Sequence, residues 1–168
     1  MVSLEALRTP FNVVDSSILQ QLYQPRIDVS DANRRSRSLA LAAHVFMYVT
    51  LRQVPARSPL LQQICATLQS TVGLAPFAID IWTESRAALL WIAFVGLLGT
   101  RKGKETGPRG QWFLSLFRSI EQEHHQSFPL DNGGVRKILS TFLWDETYCE
   151  PLLSGLEECQ GCALVQLS

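Results

Sequence analysis

AALLWIAFVGLLG, residues 87–99, is the most apolar run of the chain: thirteen uncharged residues with one tryptophan and two glycines near the end. As a helix it rises about 20 Å, against roughly 30 Å for the hydrocarbon core of a bilayer. Extension upstream meets Arg86 and Glu84, and extension downstream meets Arg101, Lys102 and Lys104. The run is too short to span a membrane and reads as a buried helix of a soluble domain. Thr83 is the expected N-cap, with Glu84 in the first turn. Gly96 and Gly99 are expected to weaken the last turn, and TRKGKETGPRG beyond it reads as a flexible loop.

A helix that is apolar all round needs partners, and the flanking sequence supplies them. Leu41, Val45, Tyr48 and Val49 mark a helix over 37–53, which Pro55 terminates. Leu60, Leu61, Ile64, Cys65, Leu68 and Val72 recur at three- and four-residue spacing, with Gln62, Gln63, Thr67, Gln69 and Ser70 opposite. Trp112, Phe113, Leu116, Phe117 and Ile120 form another stripe. Val135, Ile138, Leu139 and Phe142 form one more, followed by Leu143 and Trp144. Apolar–polar alternation is nowhere sustained. The expected fold is all-α, an irregular bundle of about five or six helices.

Residues 1–35 read as a flank in which Ser16 and Ser17 cap a short helix through Tyr23, stopped by Pro25. DANRRSRS, residues 31–38, reads as a polar turn. The expected helical domain covers 36–151, and 152–168 reads as a C-terminal tail. The N-terminus lacks the apolar core of a secretory signal. Four cysteines, Cys65, Cys149, Cys159 and Cys162, are too uneven for a disulfide scaffold and point to a reducing compartment. Fifteen basic and fifteen acidic side chains give zero formal charge. That balance argues against a stand-alone DNA binder, which must neutralise several phosphates.

Chemistry-bearing candidates are few. Cys159 and Cys162 have the spacing of a zinc knuckle, but tetrahedral zinc needs a second pair, so free thiols are the reading. His124 and His125 follow Glu121 and Glu123, and Asp131 is the natural orienting partner for a general base there. No nucleophile stands beside them, and the segment reads as the wet end of an amphipathic helix. GTRKGKETG mixes glycine and lysine, yet Gly99 and Gly103 are three residues apart and Lys104 precedes Glu105, so it fails as a phosphate loop. NRRSR, residues 33–37, reads as a solvated lead-in to a helix. Trp82, Trp91, Trp112 and Trp144 lie in or beside apolar stripes and read as core. No catalytic, cofactor-binding or metal-binding residue is assigned, and the chain is not expected to be an enzyme.

Four segments in fixed order carry a family resemblance. SLALAAHVFMYVTLRQVPARSPLLQQI is similar to a helix pair broken by a leucine-arginine-x-x-proline turn. RAALLWIAFVGLLGT resembles a leucine-leucine-tryptophan helix closing on valine-glycine-glycine. QWFLSLF resembles a tryptophan-phenylalanine helix, and VRKILSTFLWDETYCEP a terminal leucine-tryptophan segment. Together, over residues 36–151, they resemble the fungal-specific transcription factor domain, the helical regulatory region behind the DNA-binding zinc cluster of fungal transcription factors. The resemblance implies the C-terminal part of a larger helical regulatory domain, located in the nucleus. It implies protein partners, either transcription machinery or a second copy. The six-cysteine zinc cluster has no counterpart here, so DNA contact is expected only indirectly. The alternative class is a small all-α ligand-binding protein or enzyme. Because the helices at 37–53 and 84–99 are apolar on nearly all sides, self-association through uncovered apolar surface is also expected.

Overall fold

The computed structural model describes the backbone of residues 30–73, 82–102, 105–127 and 132–165, and the side chains of 30–73, 82–101, 107–123 and 134–157. The short helix expected before Pro25 lies outside these residues. The described chain is all-α. Its helices are α1 (Asp31–Thr50), α2 (Pro59–Val72), α3 (Arg86–Thr100), α4 (Pro108–Ser127), α5 (Asn132–Ser140) and α6 (Glu146–Val165), with a 3₁₀ turn at Thr83–Ser85. No helix among the described residues is long and apolar enough to cross a membrane.

Helix α1 begins six residues earlier than the apolar pattern implies. Ser30 caps it, its Oγ accepting the Asn33 N–H at 3.4 Å, and Asp31 occupies the first turn. DANRRSRS is therefore the opening two turns of a helix, because cap, acidic first turn and good helix-forming arginines act together there. Helix α2 starts on the same chemistry: the Ser58 Oγ accepts the Leu61 N–H at 3.2 Å, and Pro59 takes the first helical position. Leu61, Ile64, Cys65, Leu68 and Val72 face inward as their spacing requires.

The 87–99 run forms the axis of the molecule. Twelve of the fifteen residues of α3 are buried. It packs against every other helix, most extensively against α4 and then α1. Ser85 holds the cap position and its side chain makes no capping hydrogen bond; the expected cap, Thr83, belongs to the 3₁₀ turn instead. Gly96 and Gly99 do not end the helix. A Cβ at Gly96 would stand 2.3 Å from the Phe113 ring, and one at Gly99 would stand 2.5 Å from the Val45 Cγ1 and 2.9 Å from the Cys65 Sγ. Both glycines are sites where a neighbouring side chain presses on the α3 backbone. The helix is enclosed by the helices around it.

The loop after α3 carries a two-residue antiparallel pair, β1 (Arg101–Lys102) with β2 (Glu105–Thr106), where a flexible loop was expected. Helix α4 buries Phe113, Leu116, Phe117 and Ile120. Trp91 of α3 stacks on Phe142, with centroids 5.4 Å apart, and its Nε1 donates to the Leu143 carbonyl at 3.1 Å. Phe94 stacks on Trp144 at 5.9 Å and meets Phe117 at 6.2 Å. Trp82 and Trp91 are buried, and Trp112 and Trp144 pack against the core from its edge.

Residues 152–165, within the expected C-terminal tail, are helical. Helix α6 starts at Glu146, where the Asp145 Oδ1 accepts the Thr147 and Tyr148 N–H groups at 3.0 and 3.3 Å, and runs to Val165. Cys149, Leu152, Leu153 and Leu156 form its buried stripe. That stripe straddles the expected boundary at 151, where Pro151 sits inside the helix. The boundary at 35 likewise falls within α1. Arg118 ties α6 to α4: its Nη2 donates to the Leu156 carbonyl at 2.5 Å while its Nη1 holds the buried Glu121 at 2.8 Å.

Candidate functional site

The best-built surface feature is the corner between α1 and α2, residues 51–60. Helix α1 closes abruptly there. The Leu51 and Arg52 N–H groups both donate to the Met47 carbonyl, and the Val54 N–H reaches back to Tyr48 at 2.9 Å. Gln53 takes the left-handed conformation, φ 50°, that this reversal needs. The Ser58 N–H then bonds the Pro55 carbonyl at 2.8 Å and starts α2. Pro55 and Pro59 further restrict the chain here.

The corner is also anchored from below. The Gln62 Nε2 donates to the Ala56 carbonyl at 2.5 Å, and its Oε1 accepts from the Arg109 Nη1 at 2.8 Å. One amide therefore links the corner to the first turn of α4. Beside it, Gln62, Thr100 and Gly107 to Gly110 line an open cleft of about 240 Å³. The Arg109 guanidinium is already engaged by Gln62, so the cleft reads as the seam between α2 and α4.

What this fixed corner offers is apolar surface framed by positive charge. Leu51 is 64% exposed and Leu60 43%. Exposed Arg57 lies between them, and Arg52 sits over the Tyr48 ring at 5.0 Å. Such a surface fits a partner through apolar contact at the centre and charge at the rim. Its one counterpart among the described large hydrophobics is Leu143, 46% exposed, at the α5–α6 junction.

The other candidates stay apart from it. His124 and His125 lie within α4 and Cys159 and Cys162 within α6, but their side chains, like Asp131, Gly103 and Lys104, fall outside the described residues. NRRSR belongs to the first two turns of α1. No cluster of three or more metal-ligating side chains occurs among the described residues. Cys65 and Cys149 are buried, free thiols. Burial pushes Cys65 up to about 12, against a weaker pull from Arg109, and burial raises Cys149 as well. Neither is a thiolate nucleophile at neutral pH.

The corner was missed as a site because Leu51 looks like one more apolar residue of α1. The available signal was its position: Leu41, Val45 and Tyr48 lie three or four apart, and Leu51 continues that spacing only four residues before Pro55, where the helix is about to end. Comparison with protein-family models, with characterised proteins and with solved structures gives no match.

Proposed function

We propose that this chain is a regulatory, protein-docking helical module of the kind found in fungal zinc-cluster transcription factors, acting in the nucleus without DNA contact of its own. The observation that carries the reading is Leu51, 64% exposed on a corner whose backbone is held by four hydrogen bonds, from the Leu51, Arg52, Val54 and Ser58 N–H groups. Exposed leucine on a mobile loop is common and means little, whereas a pre-organised apolar point loses little entropy on binding. The same segment, Leu51-Arg52-Gln53-Val54-Pro55, is the leucine-arginine-x-x-proline turn on which the family resemblance partly rests. Its mechanism is packing: the corner engages another protein, and its own hydrogen bonds together with the Gln62 link to Arg109 keep its geometry fixed.

The test is a fusion of the chain to an unrelated DNA-binding domain, read on a fungal reporter gene. The fusion should change reporter output relative to the DNA-binding domain alone. L51D/L60D should abolish that change while melting within a few degrees of the parent, since both side chains are exposed. A fusion indistinguishable from the DNA-binding domain alone refutes the regulatory reading, and a fully active L51D/L60D refutes the corner's part in it.

A further inference from the structure

The charges of this neutral chain are segregated along it. Residues 32–79 hold five arginines (Arg34, Arg35, Arg37, Arg52 and Arg57) and no carboxylate. Residues 138–168 hold five carboxylates (Asp145, Glu146, Glu150, Glu157 and Glu158) and no basic residue. The described parts of these regions meet α3 at different points along it. The α1–α2 pair meets α3 where Val45 and Cys65 press on Gly99. The α5–α6 junction meets it through Phe142 on Trp91 and Trp144 on Phe94.

Each region also exposes leucine. The basic corner shows Leu51 and Leu60, and the acidic junction shows Leu143 beside Asp145 and Glu146. On α6, Glu146, Glu150 and Glu157 fall within about 40° of one another around the helix axis and form one stripe. It lies to the side of the buried Cys149, Leu152, Leu153 and Leu156. Arg136 is shared by two of these carboxylates, at 3.2 Å from Glu150 and 3.7 Å from Glu146, and the Glu146 side chain remains 80% exposed.

We propose that the partner of the α1–α2 corner is the α5–α6 junction of a second copy of this chain, docked head to tail. Leu51 and Leu60 of one copy meet Leu143 of the next, and Arg52 and Arg57 face the Glu146–Glu150–Glu157 stripe. This names the partner of the surface assigned above and so rests on that reading. The two patches differ, so the contact is heterologous and closes into a ring or continues as a chain. Opposite charge at the rim sets orientation and makes the association salt-sensitive.

Sedimentation velocity on the full chain tests this at about 50 mM and about 500 mM NaCl, where the screening length falls roughly threefold. The chain should associate at low salt, with the apparent Kd rising roughly tenfold or more at high salt. R57E alone and E146K alone should each be monomeric at low salt, and an equal mixture of the two should associate again, because each supplies the face the other lacks. L143D, with circular dichroism as a check on folding, should be monomeric without any change of basic or acidic partners on the opposite face. A monomeric parent at low salt, association indifferent to salt, or a mixture that stays monomeric overturns the proposal. If the parent is monomeric while the reporter fusion depends on Leu51 and Leu60, the docking surface stands and its partner is a different protein.

Discussion

Replacing Gly96 by alanine sets two effects of opposite sign against each other. Alanine in a helix interior is favoured over glycine by about 1 kcal/mol, so helix propensity alone makes G96A stabilising. The new methyl, however, would lie 2.3 Å from the Cδ1 and Cε1 and 2.6 Å from the Cγ of Phe113. Carbon atoms pack at about 3.5–4.0 Å, so the ring must retreat by more than an ångström. Phe113 is fully buried, and an aromatic ring in a close-packed core has nowhere to go without moving α4. Overpacking of this kind costs about 1–3 kcal/mol, and a contact this short belongs at the upper end. The net is about 2 kcal/mol of destabilisation, a fall in Tm of roughly 4–8 °C for a chain of this size. Urea melts of the parent, G96A, F113L and G96A/F113L measure it. F113L opens space for the methyl, so the double variant should be more stable than the sum of the single effects by at least about 0.5 kcal/mol. A G96A protein more stable than the parent, or strict additivity, would refute the packing argument.

Three further outcomes follow from contacts elsewhere in the core. W91F should cost about 1–2 kcal/mol in a urea melt, because it deletes the hydrogen bond to the Leu143 carbonyl and leaves that carbonyl without its indole donor; a neutral result would show that the stacking on Phe142 suffices. R118M should cost about 2 kcal/mol and speed amide hydrogen exchange in residues 146–157, since Arg118 bridges Glu121 and the Leu156 carbonyl; unchanged exchange there would show that α6 is held by its leucines alone. The folded Cys65 thiol, at about 12 against 9.0 when unfolded, keeps its proton longer than the unfolded one. Its contribution is therefore whole below pH 9 and is lost as the pH rises towards 12, so C65A should flatten the decline in stability between about pH 8.5 and about pH 10.5. An identical decline in C65A would assign it to other groups.

The parts of the fold that were legible in the sequence are those in which one side of a helix is apolar and the other polar. Helix α2 is the clearest case, with its inward leucines, Ile64 and Cys65 set against glutamines. The all-round apolarity of α3 likewise announced a central helix. What escaped is set by distant neighbours or by short-range capping that overrides composition. Gly96 and Gly99 look like helix breakers along the chain, and only Phe113, Val45 and Cys65 show why no side chain fits. Pro151 and Gly155 make 151–155 look like a helix end, yet the buried stripe of Cys149, Leu152, Leu153 and Leu156 outweighs them. DANRRSRS looks polar enough for a turn, but the Ser30 cap commits it to helix. The candidate site was the least legible part. Its components, Leu51, Arg57 and Leu60, carry no catalytic chemistry, and their meaning lies in being exposed together on a fixed corner.

The enclosure of α3 has a consequence for how relatives of this chain should be compared. Twelve buried positions in fifteen leave almost no place where a residue can be exchanged without changing core volume. Across diverging sequences this block should change least, and its constancy would report packing. Docking specificity would drift at the periphery, where Leu51, Arg57, Leu143 and Glu146 can be exchanged at little cost to the core. The most invariant stretch of such a family would thus be the least informative about what its members bind, and the variable corners would record their partners.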